Sequence, residues 1–80
     1  MKFNQLIAKR TRNLLRSRNW TQYRLAQRGA LPLSTLSHVL KCKSDTLTLE
    51  TLLNICRGFD ITLFEFFDDE LFTSENISDD

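Results

Sequence analysis

The sequence predicts one all-α domain built from five short helices. Its 80 residues suffice for a single hydrophobic core and for little more. Hydrophobic residues make up 41% and charged residues 26% of the chain, which is typical of a folded domain and not of a disordered one. The two glycines and one proline are too few for the turns of a β-sandwich or a β-barrel. A small helical bundle is therefore the fold class that the composition favours.

The first two helices are predicted from apolar spacing and one capping residue. A helix over residues 3–18 carries five apolar side chains at helical spacing on or beside one face: Phe3, Leu6, Ile7, Leu14 and Leu15. Asn19 interrupts this pattern. The Thr21 hydroxyl is suited to accept a hydrogen bond from a free backbone N–H of the next turn, which predicts a second helix over residues 22–28. Its inward side chains are expected to be Leu25 and Ala26.

Turn residues and caps predict the remaining three helices. Proline suits the first turn of a helix, so a third helix is expected from about Pro32 to Leu40. Its inward side chains are Leu36, Val39 and Leu40. After a polar loop, Thr48 is expected to cap a fourth helix that Gly58 ends. The apolar residues of that helix are Leu52, Leu53 and Cys56.

A capping-box pattern predicts the fifth helix and thereby the extent of the domain. Thr62 and Glu65 match this pattern, and the helix that they open is expected to reach about Phe72. Five short helices with short connections form one domain over residues 1–72. Residues 73–80 are small, polar and acidic, and are expected to be a frayed C-terminal tail.

The net charge of +1 hides a division between the two halves of the chain. Residues 1–44 contain ten basic residues and no acidic one, whereas residues 45–80 contain ten acidic residues and a single basic one, Arg57. A basic half with its own surface favours the binding of a polyanion. The alternative is that the halves neutralise each other and that the basic residues form a solvated helix face.

Residues 21–40 have the pattern of a helix-turn-helix, which is two short helices joined by a tight turn. In such a unit the first helix braces the second, and the second presents its outer face to the DNA major groove. Ala26 provides the small residue that lets the helix axes approach, and Leu31 provides the apolar residue of the turn. The predicted base-facing residues of the second helix are Leu33, Ser34, Ser37 and His38.

These residue types suit base recognition, although each also has a simpler explanation. Ser34 and His38 are four residues apart and share a helix face, and both side chains can hydrogen-bond base edges. Leu33 can pack against a thymine methyl group. The alternatives are a solvated surface serine and an exposed leucine that covers the core. The pattern therefore carries more weight than any one of its members.

The chain resembles the Cro/CI-type (Xre-like) helix-turn-helix repressors, a lambda-repressor-like family, over about residues 4–72. The matching segments are residues 20–26 (WTQYRLA), 31–37 (LPLSTLS), 49–56 (LETLLNIC) and 61–67 (ITLFEFF). The resemblance implies a five-helix domain that binds double-stranded operator DNA, typically as a homodimer. It also implies a transcriptional regulator, most simply a repressor, that occupies an inverted repeat and blocks polymerase.

The resemblance also assigns roles to individual residues. It implies that Gln22 opens the second helix and binds a phosphate, and that lysines after the recognition helix bind the DNA backbone. Helix N-termini and lysines are natural phosphate sites on physical grounds as well. The predicted phosphate-binding residues are Thr21, Gln22, Arg24, Lys41 and Lys43.

Some positions depart from the family pattern. Ala30 and Cys42 stand where the family usually has glycine, and Leu47 stands where it usually has proline. If residue 30 adopts a positive φ, alanine costs about 1 kcal/mol relative to glycine. Many family members pair an arginine on the first helix with a glutamate at the end of the recognition helix. The matching residues here are Leu15 and Leu40, which we expect to touch.

The acidic half contains a surplus of aromatic residues. Five phenylalanines fall within fourteen residues: Phe59, Phe64, Phe66, Phe67 and Phe72. Leu63, Phe66 and Phe67 are the expected inward residues of the fifth helix, while Phe64 falls where the family is often polar. Leftover aromatics on a helix face favour a homodimer contact, with a lone exposed phenylalanine as the alternative. The predicted dimer interface comprises Phe64, Phe67 and Leu71.

Other function classes have less support. The sequence has no glycine-rich phosphate loop and only one histidine, so we expect neither an enzyme nor a cofactor. A zinc site would need His38, Cys42 and Cys56 and still lacks a fourth ligand, so free thiols are expected. No segment resembles a membrane span or a secretory signal, which predicts a cytoplasmic protein.

Two alternatives remain open at this point. The first is a protein-binding adaptor or antitoxin-like module that engages its partner through the aromatic fifth helix. The second is that the acidic tail competes for the basic face as a DNA mimic.

Overall fold

The computed structural model describes residues 2–42, 47–73 and 75–76. Within them the chain forms five α-helices and one short 3-10 helix, so the predicted all-α fold is confirmed. The α-helices are α1 (Phe3–Arg18), α2 (Gln22–Arg28), α3 (Leu33–Leu40), α4 (Leu49–Phe59) and α5 (Leu63–Phe67), and the 3-10 helix is Glu70–Phe72. No helix in the described part of the chain has the length and apolar character to cross a bilayer.

Three threonines begin helices as the sequence predicts. The side chain of Thr21 accepts from the Arg24 N–H at 3.1 Å, and that of Thr48 accepts from the Thr51 N–H at 3.1 Å. Thr62 and Glu65 form the complete capping box, with both hydrogen bonds at 3.0 Å. Each cap satisfies an N–H that the helix itself leaves unpaired. Pro32 occupies the N-cap of α3 and not its first helical position.

The prediction that Gly58 ends the fourth helix is wrong. Gly58 is a buried residue inside α4, and the helix continues to Phe59. Asp60 then adopts the left-handed conformation with φ 58°, and the Ile61 N–H donates back to the Cys56 carbonyl at 3.0 Å. Aspartate visits this region more readily than most residues because its short polar side chain bonds locally. The glycine serves packing instead, since a Cβ there would lie 2.7 Å from Cδ1 of Leu25.

The prediction that the fifth helix reaches Phe72 is also wrong. Helix α5 ends at Phe67, and the chain reverses through Asp68 and Asp69 into the 3-10 helix. The Asp69 carboxylate accepts from the Leu71 N–H at 3.0 Å and pairs with Arg10 at 3.1 Å. These two bonds stabilise the break. Of the predicted frayed tail, residues 74 and 77–80 lie outside the described residues.

The core is a single apolar cluster to which all five helices contribute. Helix α2 packs on both α3 and α4, and α1 packs on α3. The predicted inward residues of α2 and α3 are buried, and so are both Leu15 and Leu40, although their direct contact stays a prediction. The side chains most completely buried are Leu6, Ile7, Thr11, Leu25, Leu36, Ile55, Phe59 and Phe66.

Phe3 departs from its predicted inward position. It lies in the first turn of α1 and is 45% exposed. Its ring stacks at 6.1 Å on Phe67 and lies 6.4 Å from Phe72. Phe3 therefore belongs to a peripheral aromatic group with Phe67 and Phe72, which links the start of α1 to α5 and the 3-10 helix.

Four helices are followed by a residue in the left-handed region, and two of these residues are unsuited to it. Asn19 and Asp60 tolerate the conformation, whereas Ala30 with φ 54° and Cys42 with φ 61° bear a Cβ without a local polar group that compensates. These two residues are the ones that stand where the family usually has glycine. The backbone thus keeps the left-handed conformation despite the substitution.

Replacing Ala30 with glycine is expected to stabilise the protein. Glycine removes the Cβ strain at φ 54° but gives the unfolded chain more freedom, so the net gain is about 0.5–1 kcal/mol. Urea unfolding followed by circular dichroism measures this difference. A loss of stability in Ala30→Gly would contradict the assigned conformation, and Ala8→Gly, inside α1, is the control that should destabilise.

Candidate nucleic-acid interface

Helices α2 and α3 form a rigid helix-turn-helix. The turn over residues 29–32 is closed by a hydrogen bond of 2.9 Å from the Leu31 N–H to the Ala26 carbonyl. Leu31 and Ala26 are both buried, as the helix-turn-helix pattern predicts. On the other side, a Cβ on Gly29 would lie 2.5 Å from the carbonyl oxygen of Asn54. Gly29 therefore permits the close contact between this turn and α4.

The outer face of α3 carries the predicted base-facing residues. Leu33 is 46% exposed, and Ser34 and His38 are exposed as well, whereas Ser37 is half-buried. The N-cap of α3 provides no side-chain hydrogen bond, so the first backbone N–H groups also point out of the helix without a partner in it. This end combines hydroxyl, imidazole and amide groups that can bond base edges with an aliphatic side chain.

The predicted phosphate-binding residues have different environments. Gln22 is the exposed first residue of α2, and the Thr21 hydroxyl before it already serves as the N-cap. Arg24 is exposed, and Lys41 is exposed immediately after α3. Lys43 lies outside the described residues. Gln22, Arg24 and Lys41 thus flank the helix-turn-helix at the start of α2 and the end of α3.

Several arginines of the basic half bind protein carbonyls at helix C-termini, which the sequence analysis missed. Arg10 donates to the carbonyls of Phe66 at 2.8 Å and Glu65 at 3.0 Å, at the end of α5. Arg12 donates to the Leu40 carbonyl at 2.6 Å, at the end of α3. The positive charge also complements the negative end of each helix dipole.

The end of α4 receives two further arginines. Arg28 donates to the Gly58 carbonyl at 3.0 Å, and Arg18 donates to the Phe59 carbonyl. The basic half is therefore only in part a free surface, because four of its arginines support the fold through backbone carbonyls.

Trp20 is a second feature that the sequence analysis left without a role. Its ring stacks on Phe59 at 5.7 Å with an interplanar angle of 15°. The guanidinium carbons of Arg18, Arg24 and Arg28 lie 5.1, 5.0 and 5.0 Å from the Trp20 ring centroid. We call these four residues the Trp20 cluster: Arg18, Trp20, Arg24 and Arg28.

Ion pairing does not neutralise the basic half in the described part of the chain. The one salt bridge there joins Arg10 to Asp69 at 3.1 Å. The acidic side chains of α5 and the turn after it are otherwise exposed or half-buried. The division of charge along the sequence is thus also a division between helices, with basic groups on α1 and α2 and most acidic groups on α4, α5 and the residues after them.

The two cysteines differ in environment. Cys42 is half-buried, with its Sγ 4.0 Å from the Asn4 carbonyl oxygen. Cys56 is buried, and this burial raises the pKa of its thiol. Among the described residues, no three histidine, cysteine or acidic side chains are grouped as metal ligands.

The predicted dimer interface is partly exposed. Phe64 is 79% exposed and, together with Leu63, Phe67 and Asp68, lines an open apolar depression at α5 and the residue after it. Phe67 and Leu71 are half-buried. Phe67 lies 4.8 Å edge-on from Phe72 and 5.3 Å from Phe66. Phe64 is therefore the residue of this set with a free apolar ring.

An exposed recognition helix braced by a second short helix defines a helix-turn-helix DNA-binding protein. A sequence model of the Cro/C1-type HTH DNA-binding domain matches residues 10–70. The match covers more than half of the chain, and the protein belongs to this family. Comparison with curated proteins and with solved structures gave no significant match.

Proposed function

We propose that this protein is a sequence-specific transcriptional regulator, most simply a repressor, that binds an inverted-repeat operator as a homodimer. The observation that carries the proposal is the exposed face of α3 in a member of a DNA-binding family. Helix α3 lies in the major groove, and bound dimer blocks polymerase. The protein acts in the cytoplasm, as expected for a DNA-binding domain whose two cysteines are free thiols.

Base recognition is assigned to the exposed side chains of α3. His38 and Ser34 bond base edges, and Leu33 contacts a thymine methyl group. Ser37 is half-buried, and its hydroxyl bonds a base edge from the side of α3. These contacts select a sequence, whereas contacts to phosphates position the protein without selecting one.

Backbone binding is assigned to both ends of the helix-turn-helix. Gln22 and the N-terminus of α2 bind one phosphate, because the free N–H groups and the helix dipole favour an anion there. Lys41 binds another phosphate after α3. The two contacts on either side of α3 fix the angle at which it enters the groove.

Lys41→Ala is expected to weaken binding to all DNA about equally. The slope of log K against log salt is negative, and each lost phosphate contact reduces its magnitude by about 0.9, which is about 1.8 for a dimer. Fluorescence anisotropy at several salt concentrations measures this slope. Lys9→Ala removes an exposed lysine from α1 and is the matched control with an unchanged slope. An unchanged slope in Lys41→Ala would contradict the assignment of Lys41 to the DNA interface.

The dimer contact is assigned to the exposed ring of Phe64. An aromatic side chain of which 79% remains in water is a favourable candidate for burial against a second copy. A two-fold arrangement also suits an inverted repeat, because two α3 helices about 34 Å apart match one helical turn of DNA. Phe67 and Leu71 extend the same contact from its edge.

Phe64→Glu is expected to abolish dimer formation and to weaken operator binding. The carboxylate would be buried without a partner, at a cost of several kcal/mol to association. Sedimentation velocity measures the oligomeric state, and circular dichroism verifies the fold. Tyr23→Glu places the same charge at another exposed aromatic residue and is the matched control for the oligomeric state alone: it stays dimeric, whereas its carboxylate beside Gln22 weakens DNA binding directly.

The exposure of Phe64 also supports a second candidate function, that of a protein-binding adaptor. In that case the α5 surface engages a different protein. A chain that is monomeric with and without Phe64→Glu, and that shows no sequence preference on DNA, would favour the adaptor over the regulator.

A further inference from the structure

The surface around Phe64 is an apolar depression with an acidic edge. Leu63, Phe64 and Phe67 form its apolar part, and the Phe64 ring is 79% exposed. The depression has a volume of about 470 Å³ and is open to solvent, which suits apolar side chains of a protein partner better than a small molecule that has to be enclosed. Asp68 forms the edge and is itself exposed. The depression thus combines an apolar anchor site with a carboxylate.

The carboxylate of Asp68 has no cation among the described residues. The salt bridge at this end of α5 joins Arg10 to Asp69 instead. The same guanidinium also donates to two backbone carbonyls of α5. Asp68 is the C-cap of α5, where the helix dipole disfavours a negative charge. Helix stability therefore does not explain this carboxylate, whereas a partner that places a cation beside it does.

The chain around the depression is acidic throughout. Residues 60–70 contain five acidic residues and no basic one. Four of the five are exposed, namely Asp60, Glu65, Asp68 and Glu70. A surface of this charge attracts a basic segment and speeds its association. The complementary partner therefore carries an apolar side chain for the depression, with lysine or arginine next to it.

A second copy of the chain, which the proposed function places here, matches the apolar part of the depression but not its charge. A two-fold contact brings the same patch of both subunits together, so residues 60–70 of one copy lie near the same acidic residues of the other. Like charges brought together in this way oppose association. The homodimer is therefore held by apolar burial against charge repulsion, whereas a basic segment is attracted by both effects.

We propose that the depression at α5 binds a basic, apolar segment of a partner protein, which displaces the second copy and so weakens operator binding. This inference rests on the proposed function, because the displaced occupant is the second subunit of the DNA-bound dimer. The segment places an aromatic or aliphatic side chain against Phe64 and a lysine or arginine beside Asp68. Loss of the dimer lowers operator affinity, because the two α3 helices no longer bind as one linked pair.

Selection from a phage-displayed library of short random peptides against the whole chain tests the chemistry of the partner. Peptides that also bind Phe64→Glu are discarded, because that variant keeps the acidic edge and retains sequences bound by charge alone. The recovered peptides should combine an aromatic or aliphatic residue with lysine or arginine. Recovery of peptides without basic residues, or of none that depend on Phe64, would overturn the inference.

Asp68→Asn should act in opposite directions on the two occupants. A synthetic peptide from the selection should bind this variant about three- to five-fold more weakly in fluorescence anisotropy, because one exposed charge pair is lost. Sedimentation equilibrium should show a lower dimer dissociation constant, since a like charge is removed from each copy. A purely structural effect on α5 would move both constants in the same direction. Glu50→Gln removes an exposed carboxylate from the first turn of α4 and is the matched control that should change neither.

Excess peptide should convert the wild-type dimer to monomer and lower its operator affinity at least about ten-fold. The same peptide with serine in place of its apolar residues keeps its charge and should have no effect, which controls for binding of the peptide to DNA. A peptide that binds without dissociating the dimer, or equal effects of Asp68→Asn on both occupants, would overturn the inference and leave the proposed function intact. A chain that is monomeric without peptide would overturn the proposed homodimer, and this inference with it.

Discussion

Gly29→Ala should lower the free energy of unfolding by about 2–3 kcal/mol, which is the upper part of the range for overpacked cores. The added Cβ would lie 2.5 Å from the Asn54 carbonyl oxygen and 3.3 Å from the Leu25 carbonyl oxygen. Both are backbone atoms of packed helices, so neither moves aside cheaply. For a domain of this size the midpoint of thermal unfolding should fall by about 10–20 °C.

The sign of this effect distinguishes packing from backbone freedom. Gly29 has φ −91°, a conformation that alanine adopts without strain. If backbone freedom alone mattered, alanine would stabilise the protein by about 0.4–1 kcal/mol. Calorimetry of the two variants Gly29→Ala and Ala30→Gly compares their stabilities. The first is expected to be less stable than the wild-type protein and the second more stable. Equal or higher stability of Gly29→Ala would contradict the close contact of the turn with α4.

The double variant Ser34→Ala/His38→Ala should lose most of its preference for the operator. Each base contact contributes about 1–3 kcal/mol of discrimination, so affinity for the selected sequence should fall at least about ten-fold. Affinity for unrelated DNA should change little, because phosphate contacts dominate non-specific binding. Competition between selected and scrambled duplexes measures the ratio.

Ser17→Ala provides the matched control for this variant. Ser17 is an exposed serine of α1 whose hydroxyl donates to the Leu14 carbonyl at 2.9 Å. It should retain the wild-type ratio. If the double variant weakened scrambled and selected DNA by the same factor, the outer face of α3 would be a backbone contact and not the surface that recognises bases.

The capped starts of α2, α4 and α5 could be predicted from sequence, and so could the ends of α1, α2 and α3, but the ends of α4 and α5 could not. Thr21, Thr48 and Thr62 bond an N–H three residues away, so the relevant chemistry is local and visible in the sequence. The end of α5 depends on Asp69, which is held by an arginine 59 residues earlier. Such distant partners leave no periodic signal. The role of Gly58 could not be predicted either, because a glycine is needed there for close contact with the Leu25 side chain and not to end the helix.

The candidate interface shows the same limit. The exposed side of α3 follows from helical spacing once its core residues are known, and those residues are buried as predicted. The division of the arginines does not follow from the sequence. Arg10 and Arg12 reach carbonyls 56 and 28 residues away, so only the fold reveals which arginines bind the protein. Charge along the chain indicated a polyanion partner but overstated the number of free donors.

Selection from random duplex DNA, with the bound pool sequenced at moderate salt, tests most directly that α3 recognises an operator as part of a dimer. We expect enrichment of a two-fold symmetric motif with half-site centres about 34 Å apart, or one helical turn. Enrichment of a single asymmetric half-site would support base recognition by α3 and contradict binding as a dimer. Absence of any enriched sequence, with binding that depends only on salt, would contradict the central claim.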